Sequence, residues 1–237
     1  MSRPELPTDA PRLAKPVEAA FTGTLDELRL EARGCRRCPL WRPATQTVFG
    51  AGPQDAAMML IGEQPGAQED LAGEPFVGPA GALLRELLQQ AGLDVARLYL
   101  TNTVKHFKYE PRGKARLHKR ASASEQAACR PWLAAELARV RTPVVVALGA
   151  MAAQTLFGSS FRVTRDRGAW QAIGPATSAL ATWHPSAILR MRPPEREVAR
   201  AQLLEDLRKA ATRAQRGGPG AGDREARARP TSDPARR

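Results

Sequence analysis

A chain of 237 residues suffices for one large domain or two small ones, and a single domain of this size buries about 70% of its unfolded surface. Hydrophobic residues at 43% and charged residues at 25% fit a globular protein, and no stretch nears the roughly 18 apolar residues of a membrane span. The net charge of +12 favours a polyanionic partner, and three cysteines, an odd number without a secretory context, argue against a disulfide framework.

The first twenty residues lack the apolar core of a signal peptide, so a cytoplasmic protein is expected. Residues 1–22 are rich in Pro and Ala without periodicity and read as a disordered tail. Thr24 and Glu27 form a capping-box pair that opens a short helix running towards Cys35 and Cys38. Four short apolar runs predict strands: Ala57 to Ile61, Leu98 to Thr101, Val144 to Leu148 and Leu180 to Trp183. Helical stretches alternate with them, at Pro79 to Gln90 with Pro in the first turn, Glu125 to Val140 with Ser122 or Ser124 as cap, and Glu195 to Ala210. The expected fold is therefore α/β: a single domain over residues 23–211, an α/β/α sandwich around a central parallel four-stranded sheet. Beyond it, residues 212–237 carry seven Arg against Asp223, Glu225 and Asp233 and read as a basic disordered tail.

In such sheets ligands collect beyond the carboxyl ends of the strands. Three predicted strand ends deliver polar groups there: Gly62-Glu63-Gln64-Pro65-Gly66, Asn102, and His184-Pro185-Ser186. The segment Gly62 to Leu84 holds five glycines and opens a helix, but with neither the Walker nor the GxGxxG spacing it is weak as a phosphate loop, and tight turns with a helix cap are the plainer alternative. Lys105 to Arg120 carries seven Lys or Arg against the single acid Glu110, with Phe107 and Tyr109 interleaved; it reads as a DNA contact or as a solvated loop. The Cys35-x-x-Cys38 pair, with Cys129 farther on, leaves redox, metal and structural roles open.

As specific strings, GEQPGAQEDLAGEPFVGPAGALL at Gly62 to Leu84 and WHPSAILR at Trp183 to Arg190 resemble the two motifs of the iron–sulfur uracil-DNA glycosylases. That resemblance implies a pocket for extruded uracil in which Phe76 stacks on the base, Asn102 bonds its edge and His184 faces the pyrimidine oxygen nearest the sugar. The physical logic agrees: a base must leave the helix to be attacked, and donors aimed at its oxygens stabilise the departing anion.

Within the basic segment, Gly113-Lys-Ala-Arg-Leu-His118 is similar to the histidine-bearing insertion of the UdgX group. The resemblance implies that His118 captures C1′ of the abasic sugar, with Glu63 orienting it, Gln64 beside it in the substrate pocket and Arg116 fixing the loop. Here Ala115 and Leu117 depart from the commoner KRRIH form, and Lys114, Arg116 and His118 are retained. His106 stands where ordinary members carry a fourth cysteine, which implies a [4Fe–4S] cluster on Cys35, Cys38, His106 and Cys129, with structural zinc as the rival. The implied activity is excision of uracil from DNA, preferably single-stranded, by a monomer that then stays covalently attached. The alternatives are an ordinary turning-over glycosylase, a non-enzymatic iron–sulfur DNA-binding protein and, less fitting, a Rossmann-type nucleotide binder.

Overall fold

The computed structural model describes residues 21–216; residues 1–20 and 217–237, with most of both predicted tails, lie outside the described residues. The first helix, α1 (Leu25–Ala32), opens with the expected capping box, the Thr24 hydroxyl accepting from the Glu27 amide while the Glu27 carboxylate accepts from the Thr24 amide. Phe21, just before it, is buried and stacks on Trp132 with ring centroids 3.8 Å apart.

Four strands, β1 (Met58–Gly62), β2 (Leu98–Asn102), β5 (Val144–Leu148) and β7 (Ser178–Thr182), pair in parallel in the order β2-β1-β5-β7. They match the four apolar runs to within about two residues at either end. The sheet has five strands rather than the expected four, because β6 (Gln171–Ala172) adds an antiparallel edge to β7. Two residues are too few to leave a periodic signal, and the turn around Gly174 and Pro175 is what folds β6 back.

Alternation along the strands builds two cores. Met59 and Ile61 face one side with α1, α4 (Ala123–Arg139) and α5 (Gly149–Phe157), whereas Met58 and Leu60 face the other with α3 (Pro79–Gln90), α7 (Pro185–Arg190) and α8 (Glu195–Arg216). Every residue of β1, β2 and β5 is buried, as a sheet covered on both faces requires. Each fully buried Leu or Ile contributes about 1.5–3 kcal/mol relative to exposure. The short helices α2 (Ala67–Ala72) and α6 (Val163–Asp166) complete the domain. Among the described residues no helix is long and apolar enough to cross a membrane.

The basic segment is ordered as an antiparallel hairpin, β3 (Tyr109–Arg112) and β4 (Ala115–His118), turning at Gly113 with φ +57°. Tyr109 pairs with His118, so the last residue of β4 returns to the base of the hairpin beside the sheet.

Candidate active site

Carboxyl ends of β1, β2 and β7 meet the hairpin around a cavity of about 110 Å³. Of the residues singled out in the sequence, Glu63, Gln64, Phe76, Asn102, His118 and His184 line it together. Arg116 does not. Its guanidinium donates to Asp70 Oδ2 at 2.6 Å and to the Ala67 carbonyl at 2.9 Å, and it lies over the Phe107 and Tyr109 rings, so it anchors β4 to α2.

The strand ends are locked to each other. The Glu63 carbonyl accepts from the Val104 amide at 3.0 Å and from the Thr103 hydroxyl. Asn102 is buried, and its carbonyl accepts from Lys105 Nζ at 2.7 Å. That ammonium is fully buried and also reaches Thr101 and the equally buried Glu136, whose other oxygen takes the Tyr99 hydroxyl and the Gly50 amide. A buried ion pair bonded on every side holds its geometry but is a weak source of net stability.

Phe76 is the only non-glycine residue with positive φ among the described residues, at 59°. Such a conformation costs about 1–3 kcal/mol and persists where the surroundings impose it. Here Arg85 donates to its carbonyl, and a Cβ at Gly81 would fall 1.7 Å from that same oxygen. Gly62 serves the other end of the ring: a Cβ there would lie 2.7 Å from Phe76 Cζ and 2.3 Å from Asn102 Oδ1. Glu69 bridges the loop between, accepting from the Gly66 and Gly78 amides at 3.0 and 2.7 Å.

His184 caps α7. Its Nδ1 accepts from the Ser186 backbone amide at 3.1 Å, and because that group can only donate, the ring proton of the neutral imidazole resides on Nε2. Burial, with help from Arg190 and His118, lowers its pKa to about 4, so it is a neutral Nε2–H donor at neutral pH. The ring lies 6.2 Å from Phe76, centroid to centroid, at 26° between planes.

His118 Nε2 lies 4.0 Å from Glu63 Oε1, an ion-pair rather than a hydrogen-bond distance. Burial lowers the His118 pKa while Glu63 opposes and Arg190 reinforces that shift, leaving a neutral imidazole beside a carboxylate. Gln64 donates from Nε2 to the Lys108 and Lys119 carbonyls, at 3.1 and 3.0 Å, and so clasps both feet of the hairpin; its Oε1 is buried without a partner among the described residues.

The lining also includes Gly66, Glu69, Ala80, Ser186 and Arg190, to which the sequence assigned no individual role. All five lie within the strand-end clusters and motif strings already picked out, Gly66, Glu69 and Ala80 in Gly62 to Leu84 and Ser186 and Arg190 in Trp183 to Arg190, and that placement was their signal.

Cys35, Cys38 and Cys129 are all buried and free. Cys35 Sγ accepts from the Trp132 indole and Cys129 Sγ from the Lys105 amide, both at 3.2 Å. His106 Nε2 bonds the Thr47 hydroxyl at 2.9 Å, while its Nδ1 is buried with no partner among the described residues. No three of these side chains, nor any other His, Cys, Asp or Glu among the described residues, converge closely enough to hold a single metal ion.

Comparison with known proteins places these features among relatives. Residues 49–208 match the Uracil DNA glycosylase superfamily. The chain is 36% identical over 177 residues to the Type-4 uracil-DNA glycosylase of Thermotoga maritima, covering 74% of this chain and 87% of that one. It is 35% identical over 181 residues to the Type-4 uracil-DNA glycosylase of Archaeoglobus fulgidus, covering 73% and 87%. Against that of Saccharolobus solfataricus identity is 33% over 193 residues, covering 78% and 84%. A crystal structure of SMUG2 from Pedobacter heparinus superposes with a TM-score of 0.47 at 12% identity, over 67% of this chain and 77% of that one.

Proposed function

This chain belongs to the uracil DNA glycosylase superfamily, and from that premise we propose that it excises uracil from single-stranded DNA and then bonds to the abasic sugar through His118. The observation that carries the reading is the hairpin-borne imidazole, neutral and beside Glu63, on the wall of the same pocket as Phe76, Asn102 and His184.

In this reading the extruded base stacks on Phe76, and the Asn102 amide bonds its polar edge. The bond from C1′ to the base breaks, and its electron pair leaves with uracil, whose oxygen nearest the sugar takes the His184 Nε2–H bond. The sugar is left with positive character at C1′. A lone pair of neutral His118 forms the new bond to C1′, and the charge that develops on the ring is stabilised by the Glu63 carboxylate. Loss of the remaining ring proton and protonation of the uracil anion balance the charges.

For a cofactor we propose a [4Fe–4S] cluster held by Cys35, Cys38, Cys129 and His106. Three buried free thiols and the unpartnered His106 Nδ1 fit this group, and the N–H donors on Cys35 and Cys129 suit metal-bound sulfurs. Zinc would need its ligands about 2.0–2.3 Å from one point, and these side chains do not converge that way. When bound, the cluster would cross-link the segment after α1 to α4 and to the root of the hairpin.

Similarity to Type-4 enzymes favours a second reading, an ordinary turning-over glycosylase in which water takes the place of His118. Incubation with labelled uracil-containing single-stranded DNA, followed by denaturing SDS gels, separates the two. A uracil-dependent, SDS-resistant band that disappears in His118→Ala is the expected result. Free uracil and abasic DNA without that band would establish the turning-over enzyme, and neither product would leave a DNA-binding protein without excision.

A further inference from the structure

A second cavity, of about 550 Å³, lies at the opposite edge of the sheet. Its walls include Pro143, Trp170, Ser178, Thr212, Arg213 and Arg216. Pro143 precedes the first residue of β5 and Ser178 is the first residue of β7, so this cavity sits at the amino ends of the strands that carry the uracil pocket on their far side. Strands of five residues separate the two edges by about 17 Å.

Arg213 is set in place before any ligand arrives. Its guanidinium lies 4.6 Å from the centroid of the Trp170 ring, and its Nη2 donates to Ser178 Oγ at 2.7 Å. A fork held in this way loses little conformational freedom when it meets an anion. Lys209, also at the rim, is occupied by Glu205 at 2.9 Å and Asp206 at 3.8 Å. Arg213 and Arg216 form no ion pair among the described residues, and no carboxylate lines the cavity.

Cations in the last turns of α8 also offset the helix dipole, and an indole under an arginine staples the helix end. Those roles do not require an open, nucleotide-sized volume, hydroxyls at its wall, or Thr212 and Arg216 spaced four residues apart so as to share a helix face. Beyond Arg216 the sequence continues with five Arg against three acids over residues 217–237, which extends the positive charge from the same point.

We propose that this cavity is a second single-stranded DNA subsite. A backbone phosphate is taken by Arg213 and Arg216, the Ser178 and Thr212 hydroxyls add donors, and a base stacks on the outer face of the guanidinium, itself stacked on Trp170. The inference rests on the reading that the chain acts on DNA. A strand seated in the uracil pocket must pass around the sheet to reach it, so a long strand engages both sites at once and a short one only one at a time.

The test is fluorescence anisotropy on the full chain with uracil-free single strands of about 8 and about 30 nucleotides, across a range of salt concentrations. The double variant Arg213→Ala, Arg216→Ala should lose most of the affinity advantage of the long strand. Its plot of log affinity against log salt should be shallower by about 0.7, the value for one lost phosphate contact on a single strand. Uracil release from short uracil-containing strands should be unchanged. Arg213→Gln with Arg216→Gln, which keeps polar side chains without charge, should lose the same slope and guards against a folding defect in the first variant. An unchanged slope and an unchanged long-to-short ratio would overturn the proposal. Loss of binding to a labelled polyglutamate, with DNA binding unchanged, in the same variants would overturn it in favour of an acidic protein partner. Wild-type protein that binds neither strand would instead strike the DNA reading itself.

Discussion

At the scale of single residues, protonation decides what the two pocket histidines can do. His118 has its pKa lowered, chiefly by burial, so its nucleophilic neutral form persists below the pH at which free imidazole protonates. Single-turnover adduct formation should therefore stay level as pH falls past about 6.5 and decline only through the lowered pKa. A decline centred at or above that pH would contradict the assignment. Glu63→Gln removes the carboxylate that supports the developing imidazolium, and adduct formation should slow by at least tenfold, on the order of 1.4 kcal/mol in the barrier. His184 has a second, thermodynamic signature. Its folded pKa of about 4 lies below the unfolded value, so its contribution to stability is present above about pH 6.5 and is lost as pH falls from there through about 4. Thermal unfolding of His184→Asn, compared with wild type across that window, should show a weaker pH dependence.

The fold-determining role of two glycines was only half visible in the sequence. Clustered glycines in Gly62 to Leu84 announced tight backbone, but that Gly81 clears the Phe76 carbonyl and Gly62 clears the Phe76 ring depends on residues that meet only in the folded chain.

At the scale of elements, the hairpin is what turns a basic segment into part of the pocket. Composition marked Lys105 to Arg120 as a charged stretch; the β3–β4 pairing, the clasp of Gln64 on Lys108 and Lys119, and the Arg116–Asp70 pair bring His118 to the pocket. Asp70 is completely buried, and without Arg116 its carboxylate would keep only the Thr45 amide. Arg116→Ala should therefore destabilise the fold by about 3 kcal/mol, the lower end of what removing one partner of a buried pair costs. It should also reduce adduct yield more than uracil release, because the pocket residues on β1, β2 and α7 stay in place while the hairpin loosens. Equal loss of both products in a quenched time course would show that the hairpin is not a separate unit. Gly81→Ala acts on α3: the clash with the Phe76 carbonyl forces a backbone shift, and a lowered melting temperature with loss of uracil binding is expected.

At the scale of the whole molecule, charge and the cysteine set make separable predictions. Cys129→Ser should lose iron and visible absorbance, melt at lower temperature and bind DNA more weakly, since the proposed cluster joins the segment after α1, the hairpin root and α4. Iron analysis alongside thermal unfolding checks this, and a colourless wild-type protein of equal stability would refute it. Deleting residues 217–237 should make DNA binding less sensitive to salt while leaving excision intact.

Apolar runs of four or five residues, a capping box at Thr24 and a Pro in the first turn of α3 are local signals, and each marked its element because burial on both faces and helix capping act within a few residues of chain. The specific strings around Glu63 and His184 likewise pointed to the family that the comparisons support. The two-residue β6, the ordering of the hairpin, the Asp70 partner of Arg116, the buried Lys105–Glu136 pair and the tautomer of His184 were not legible in advance. The strand β6 is too short to leave a periodic signal, and the hairpin pairs over fewer than ten residues without an apolar alternation to mark it. The ion pairs depend on groups that meet across 30 to 50 residues of chain, and the tautomer on a single backbone amide at the start of α7; desolvation and hydrogen bonding at such meetings are properties of the packed structure alone.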